Sequence, residues 1–222
     1  MNRALQLLVV LLLALVSAPF AEAGTIVYFD SYRSLNVDGT VQETTATGPF
    51  SVNAGPGLNR NQTSNIGQLA VDGSGHPFER IRANGTLFWR FTDGPTDVST
   101  NLFTSFLLDV PYTVNLNVTL SARNDGRAEG FFFDENTQTM LAQVIREEGS
   151  GRLLYQGILE PGLYSYFLLA EIHTLGGSGF NDPFAQFAGD LALTQFTPVP
   201  EPGTMTLFGL GLAAAAWRRR RR

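Results

Sequence analysis

The sequence predicts an all-β fold, an antiparallel β-sandwich with a jelly-roll-like arrangement. Residues 113–121 (TVNLNVTLS) alternate apolar and polar side chains, as a strand does when one face meets a core and the other meets water. Short apolar runs with Gly-rich connections recur along the chain, and no convincing amphipathic helix interrupts them. The 222-residue chain has room between its two unusual ends for one sizeable core.

The other elements follow from the same pattern. Residues 138–145 fit a helix or a strand, and their β-branched content favours a strand. Asn124-Asp125-Gly126 lies between two apolar runs and predicts a hairpin with a type I′ turn. Residues 39–65 lack periodicity and predict a long, partly ordered loop. The remaining strands are predicted at residues 87–91, 102–110, 131–133, 163–172 and 189–196.

Residues 1–23 are predicted to be a secretory signal peptide. A single arginine precedes an apolar run over residues 5–16, and Ala21 and Ala23 give the small-x-small cleavage pattern before Gly24. As a helix the run would cover about 18 Å, short of the roughly 30 Å hydrocarbon core, which argues against an uncleaved anchor. We expect signal peptidase to cleave after Ala23 once the export machinery has engaged the chain.

A second apolar segment, residues 203–217, lies near the other end and carries no charge. As a helix it would reach about 22 Å and could cross a membrane by drawing on its flanks. Basic residues directly after such a segment mark the cytoplasmic side, so the body of the protein is expected outside. The basic residues are Arg218, Arg219, Arg220, Arg221 and Arg222.

Alternating prolines precede this segment, at Pro198, Pro200 and Pro202, with Glu201 between the last two. Proline locks φ and keeps the preceding residue out of the helical region, so this stretch is predicted to be extended. A Pro-Glu-Pro motif, a short apolar helix rich in Leu, Gly and Ala, and a terminal arginine cluster together resemble a PEP-CTERM sorting signal. The resemblance covers residues 198–222, a tail also known as the ice-binding protein C-terminal domain.

The resemblance implies processing by an exosortase, an integral-membrane enzyme of bacteria that make extracellular polysaccharide. Pro200, Glu201 and Pro202 would be its recognition motif, residues 203–217 a transient anchor, and the arginine cluster a retention signal. Release would pass the body, residues 24–197, to the cell surface or the extracellular matrix. A permanent single-span anchor with a Pro-rich stalk remains the alternative.

Composition excludes several kinds of chemistry. The chain has no Cys and no Lys, which excludes disulfides, thiolate metal sites, thiol nucleophiles and Schiff bases. Residues 24–199 carry nine Arg against 18 Asp and Glu, a net charge of 9 − 18 = −9. That charge disfavours nucleic acid and anionic lipid and is compatible with neutral polysaccharide or divalent cations.

Familiar catalytic motifs are missing from the sequence, so we predict no enzyme activity, with a hydrolase as the less favoured alternative. His76 and His173 lie near Gly-rich loops, but each is more simply a surface or strand-end residue. A glycosidase-like pair of carboxylates stays open because sequence does not reveal their separation. We predict no resident cofactor, with Ca²⁺ held by loop oxygens as the alternative. Those oxygens belong to Asp72, Asp93, Asp97, Asn181 and Asp182.

Tyr164 and Tyr166 share one face of a predicted strand and are the candidates for a small platform that stacks on sugars, although a core aromatic ladder is favoured.

The sequence leaves two functional hypotheses. The first is a non-catalytic structural or interaction protein of the cell surface or matrix, and the second is a surface-anchored carbohydrate-binding module. A wet face of Asn and Thr favours the first, whereas an exposed aromatic patch with nearby amides favours the second.

Overall fold

The alternation of apolar and polar residues places one side of each long strand in a common core. The computed structural model describes residues 24–53, 60–71, 77–88, 96–174 and 182–196, and within these ranges every regular element is a strand. The strands are β1 (Ile26–Val37), β2 (Thr40–Thr44), β3 (Gly48–Asn53), β4 (Arg60–Val71), β5 (Pro77–Phe88), β6 (Thr96–Leu108), β7 (Tyr112–Arg123), β8 (Gly126–Asp134), β9 (Thr139–Arg146), β10 (Gly149–Leu159), β11 (Gly162–Thr174) and β12 (Phe184–Gln195).

Two six-stranded antiparallel sheets form the fold, so the predicted all-β sandwich is confirmed. Sheet I has the order β2-β1-β6-β11-β8-β9, and sheet II has the order β10-β7-β12-β5-β4-β3. The described ranges contain no helix that could cross a membrane. The predicted signal peptide and C-terminal helix lie outside those ranges.

The last eight strands pair as one long folded hairpin. Strand β5 pairs with β12, β6 with β11, β7 with β10, and β8 with β9. These nested pairs alternate between sheet II and sheet I, which is the wrapping that defines a jelly roll.

Strands β1 to β4 extend both sheets, and this corrects the loop predicted for residues 39–65. Strand β1 lies beside β6 in sheet I, and β4 lies beside β5 in sheet II. The β1–β2 hairpin turns through Asp38 and Gly39, whose φ angles of 49° and 83° suit a type I′ turn. Strands β2 and β3 are short edge strands, whose polar residues and mixed burial conceal any period in the sequence.

The turn at Asn124 and Asp125 has the predicted backbone but a different role. Both residues have positive φ, 52° and 67°, as a type I′ turn requires. The flanking strands β7 and β8 belong to different sheets, so the turn carries the chain across the sandwich and does not close a hairpin. The sequence therefore predicted the backbone of the turn correctly, but the strands with which β7 and β8 pair are distant in sequence.

Strand β7 shows how the core is filled. Val114, Leu116, Val118 and Leu120 are at most 1% exposed, and the residues between them face solvent. Opposite them, sheet I contributes large buried rings such as Phe106. The described residues from Gly24 to Phe196 form one compact unit around this core.

Arg33 crosses the sandwich and is the largest fully buried side chain among the described residues. Its guanidinium donates to the Gly48 carbonyl at 2.6 Å, to the Ala46 carbonyl and to the Ser64 hydroxyl at 3.3 Å. It also lies 5.3 Å from the ring centroid of Phe50. Arg33 therefore ties β1 of sheet I to β3 and β4 of sheet II, and burial lowers its pKa.

Candidate functional surfaces

The two outward faces of the sandwich differ in chemistry. The outward side of sheet II, the polar face, presents amides and hydroxyls along its central strands. The outward side of sheet I, the aromatic face, carries a row of rings. The central residues of the polar face are Thr63, Asn65, Arg82, Asn84, Asn115, Asn117, Thr119 and Asp190.

Shallow depressions mark the polar face, and two of them lie beside small outward residues of strand β12. Ala188 and Ala192 point outward on either side of Asp190. The depression beside Ala188 measures about 660 Å³ and the one beside Ala192 about 400 Å³, and Asp190 lines both. Arg80 pairs with Asp190 at 3.1 Å, with both side chains about one-third exposed.

The rings that the register places on the polar face, Phe78, Phe88 and Phe184, belong to strand ends. Arg80 lies 5.1 Å from the ring centroid of Phe78 and Arg123 lies 5.6 Å from that of Phe184. The middle of this face is therefore a hydrated surface of Asn and Thr side chains.

Four rings on the aromatic face form an aromatic row, defined as Tyr32, Phe103, Phe167 and Phe131. Tyr32 pairs with Phe103, Phe103 with Phe167, and Phe167 with Phe131 across β1, β6, β11 and β8. Phe131 and Phe167 stack with centroids 4.9 Å apart and planes 26° apart. All four side chains are half-buried.

Polar side chains, several of them buried, adjoin the row on both sides, together with Phe133 on one side and Leu169 on the other. Two residues along the strands in one direction, Ser105 and Ser165 share a 3.0 Å hydrogen bond, and Ser165 donates to Glu135 at 2.6 Å. Two residues in the other direction, Asn101 donates to the Ser34 hydroxyl at 2.9 Å.

Carboxylates dominate the charge around the row. Tyr32 donates to Glu43 at 2.8 Å, a hydrogen bond that raises the pKa of Tyr32. Arg127 contacts Glu129 at 2.7 Å and Glu171 at 3.1 Å. The aromatic face is therefore apolar at its centre and acidic at its margin.

The platform predicted at Tyr164 and Tyr166 is not exposed. Tyr164 is 2% exposed and Tyr166 is fully buried. Tyr164 stacks on Phe106 at 6.0 Å, and its hydroxyl donates to the Glu160 carbonyl at 2.8 Å. Burial raises the pKa of Tyr164 to about 12. Both side chains lie in the core, because Tyr164 and Tyr166 are among the residues of β11 that point inward.

The residues of β11 that alternate with Tyr164 and Tyr166 point outward. They include Phe167, which sequence reasoning missed. Residues 163–172 are apolar on both sides, so their pattern does not reveal which phase faces out. The available signal was the run Phe131-Phe132-Phe133, in which consecutive strand residues must place rings on both faces.

The structure describes the remaining candidates only in part, and of these His173 is the cross-strand partner of Asp97. His173 is exposed at the end of β11, while His76 lies outside the described ranges. Asp97 belongs to β6 of sheet I and Asp182 precedes β12 of sheet II, and the other calcium candidates, Asp72, Asp93 and Asn181, are not described. Within the described ranges no three His, Asp or Glu residues are grouped as metal ligands require.

Gly24 is the part of the predicted cleavage site that the structure describes. Its backbone N–H donates to the Gln195 side chain at 3.0 Å, which ties it to the end of β12. Ala21, Ala23 and the whole C-terminal signal, including Pro200, Glu201, Pro202 and the arginines at 218–222, lie outside the described ranges.

Residues 198–221 match the family model of the PEP-CTERM protein-sorting motif. The chain carries a PEP-CTERM sorting signal. The predicted resemblance is thereby confirmed for the tail, and the match leaves the β-sandwich unassigned. A PEP-CTERM signal implies export and membrane-associated sorting by an exosortase.

No curated protein matches this PEP-CTERM chain. Among solved structures, it is similar to a chain in the structure of infectious bursal disease virus Gt strain, with 8% identity and a TM-score of 0.28. The similarity covers 78% of this chain and 57% of the viral chain.

Proposed function

We propose that the protein is exported through its N-terminal signal, processed at the Pro-Glu-Pro motif and delivered to the cell surface or extracellular matrix. Its β-sandwich would act there as a non-catalytic structural or interaction domain without a resident cofactor. The observation that carries this proposal is the sorting motif at residues 198–221. The net charge of −9 over residues 24–199 agrees with a partner other than nucleic acid.

The polar face supports the structural half of the proposal. A surface of Asn, Thr and Ser side chains stays hydrated and offers many weak hydrogen bonds, as a component of a wet matrix needs. The aromatic row favours a second candidate, a surface-anchored carbohydrate-binding module, because flat rings can stack on sugar faces.

Intact-mass analysis and peptide mapping of the host's membrane and extracellular fractions test the proposal. We expect extracellular protein that begins at Gly24, lacks residues 203–222 and ends near Pro200–Pro202. A full-length tail found only in the membrane fraction would contradict sorting and leave a plain single-span anchored domain.

A further inference from the structure

We propose that strand β10 pairs antiparallel with β10 of a second copy of this chain, centred on Gln156, so that the two copies of sheet II become one continuous sheet. The inference rests on the proposed interaction domain and names its partner, although the pairing does not require processing of the tail. An edge strand presents a row of main-chain donors and acceptors to a strand that lies beside it, and pairing of this kind is a common mode of protein association.

The four edge strands in the described ranges are β2, β9, β10 and β3, and β10 alone is both long and uninterrupted. It has 11 residues and pairs with β7 over Gly149–Leu159 without a register shift. Strands β2 and β3 have only five and six residues, and β3 contains Pro49. Strand β9 carries a bulge at Leu141, because Met140 and Ala142 pair with consecutive residues of β8. The free edge of β10 is therefore the one best shaped for pairing.

Strand β10 also exposes two large apolar side chains on the polar face. Leu154 is 54% exposed and Ile158 is 48% exposed. Their cross-strand partners in β7 are Asn117 and Thr113, so neither apolar side chain has an apolar residue opposite it within the described part of sheet II. A second strand along the free edge would cover both side chains and remove them from water.

The sequence of β10 is complementary to itself in one antiparallel register. With Gln156 opposite Gln156 of the second copy, Leu154 lies opposite Ile158 of that copy. In the same register Arg152 lies opposite Glu160. The pairing therefore matches apolar with apolar, amide with amide and positive with negative, and the two-fold axis repeats the apolar and ionic pairs.

The ionic pair can form only between copies. Arg152 and Glu160 are eight residues, about 27 Å, apart along their own chain, which is too far for contact within one copy. Arg152 points outward and donates to the Asn117 side chain at 3.2 Å. Glu160 is exposed directly after the strand and precedes Pro161, which favours an extended backbone that continues the line of β10.

Other registers lose this complementarity. A shift of two residues in either direction places Leu154 opposite Gln156 or Glu160, and so sets an apolar side chain against a polar one. A shift of one residue places outward side chains opposite inward ones. The side chains thus select one register, while the main chains supply about eight to ten hydrogen bonds over residues 152–160.

The symmetry of this pairing limits the assembly to two copies. A two-fold interface uses the same edge of both chains and leaves no second β10 edge for a third copy. The acidic charge of each copy opposes association, so we expect a weak dimer whose population rises with protein concentration.

Sedimentation velocity of the full chain in mild detergent, over a range of concentrations, tests the proposal. Arg152→Glu and Glu160→Arg each place two pairs of like charges across the interface and should weaken dimerisation roughly tenfold. The double variant Arg152→Glu/Glu160→Arg restores opposite charges and should recover dimerisation. A one-to-one mixture of the two single variants should form heterodimers more readily than either variant forms homodimers.

Because the chain contains no cysteine, an introduced thiol reports the register. Gln156→Cys places two thiols opposite each other across the two-fold axis, with Cβ atoms about 5 Å apart, and mild oxidation should join them. Ser150→Cys is the matched control on the same side of β10. Its two thiols would be twelve residues, about 40 Å, apart along the paired strands and should not cross-link.

Two further variants separate β10 from the other edge that exposes apolar residues. Leu154→Lys sets a charge opposite an apolar side chain and should weaken dimerisation. Ile145→Lys changes a residue of β9 that is 40% exposed and should dimerise like wild type. Near-ultraviolet circular dichroism checks that each variant is folded.

The proposal is overturned if the wild-type chain stays monomeric up to about 100 μM, or if the folded charge-reversed variants dimerise like wild type. Failure of the double variant to recover dimerisation, or cross-linking of Ser150→Cys as fast as Gln156→Cys, would overturn the register. Because every variant keeps the tail, loss of wild-type dimerisation with normal tail processing refutes this inference alone. Dimerisation through β10 with an unprocessed tail refutes only the proposed sorting.

Discussion

The Tyr28 hydroxyl donates a 3.0 Å hydrogen bond to Glu79 and so joins β1 of sheet I to β5 of sheet II. Burial raises the pKa of Glu79 more than this hydrogen bond lowers it, and burial together with Glu79 raises the pKa of Tyr28. A carboxyl group whose pKa is raised above its ordinary value therefore lies at a contact between the sheets.

This contact predicts a stability that falls as the pH rises. The pKa of Glu79 is near 4.5 in the unfolded chain and higher in the folded protein, so the folded protein binds this proton more tightly. The free energy of unfolding therefore declines as the pH rises above 4.5, and the decline ends once the pH passes the pKa of Glu79 in the folded protein. Glu79→Gln keeps an acceptor without the charge and should remove this decline. Urea unfolding at pH 4, 5, 6 and 7 measures it, and parallel curves for wild type and variant would contradict the prediction.

Asp134 predicts the opposite dependence. Burial pushes its pKa upward, but hydrogen bonds from Thr137 and Asn136 outweigh burial and hold the pKa below its ordinary 3.8. Its stabilisation is present above pH 3.8 and is lost as the pH falls through the folded value. Asp134→Ala should cost about 1 kcal/mol at pH 7 and much less at pH 2. Equal losses of unfolding free energy at both pH values would show that the charge of Asp134 does not contribute. Asp125→Ala, in another exposed turn, is the control.

The buried guanidinium of Arg33 predicts a large loss on truncation. Arg33→Ala removes three hydrogen bonds and leaves a cavity, and we expect a cost of about 3 kcal/mol. Arg33→Lys retains the charge but not the planar fork, so it should recover only part of the stability. Denaturant unfolding gives the energies, and hydrogen exchange should increase around residues 45–48. A loss below 1 kcal/mol, or no change in exchange there, would remove Arg33 from this role.

Gly126, the first residue of β8 after the turn between the sheets, predicts a steric penalty on substitution. A Cβ there would strike the backbone carbonyl of Phe184, which cannot move without shifting β12. We expect Gly126→Ala to cost about 2 kcal/mol or more. Gly149→Ala is the matched control, since that position has open space and a φ of 77°, so its cost is only the backbone strain of about 1 kcal/mol. Thermal unfolding distinguishes them, and equal shifts in Tm would refute the steric argument.

Changes in the sorting motif are predicted to block processing of the tail without unfolding the β-sandwich. Replacing Pro200, Glu201 and Pro202 with Ala should leave the tail attached and the protein in the membrane fraction of the host. Pro198→Ala lies outside the recognition motif and should be processed normally. Peptide mapping of both fractions gives the result, and normal release of the triple variant would place recognition elsewhere in the tail.

Local patterns predicted much of the fold. The period of two over residues 113–121 matches the burial of β7, and the β-branched content of residues 138–145 correctly favoured the strand β9. The segment 39–65 was mistaken for a loop because β2 and β3 are edge strands with little to bury. Its useful signal was Asp38-Gly39, the same turn chemistry that was recognised at Asn124 and Asp125.

The sequence by itself indicated strands such as β7 and β11, the positive-φ turn at Asn124 and Asp125, and the tail, because each depends on side chains adjacent along the chain. Only the tertiary structure decided which phase of β11 faces out, since both phases are apolar and the choice depends on packing against β6 and β8. Only the tertiary structure shows that β7 and β8 belong to different sheets and that Phe131 lies beside Phe167. Those relationships join residues far apart in sequence, where no local period carries information.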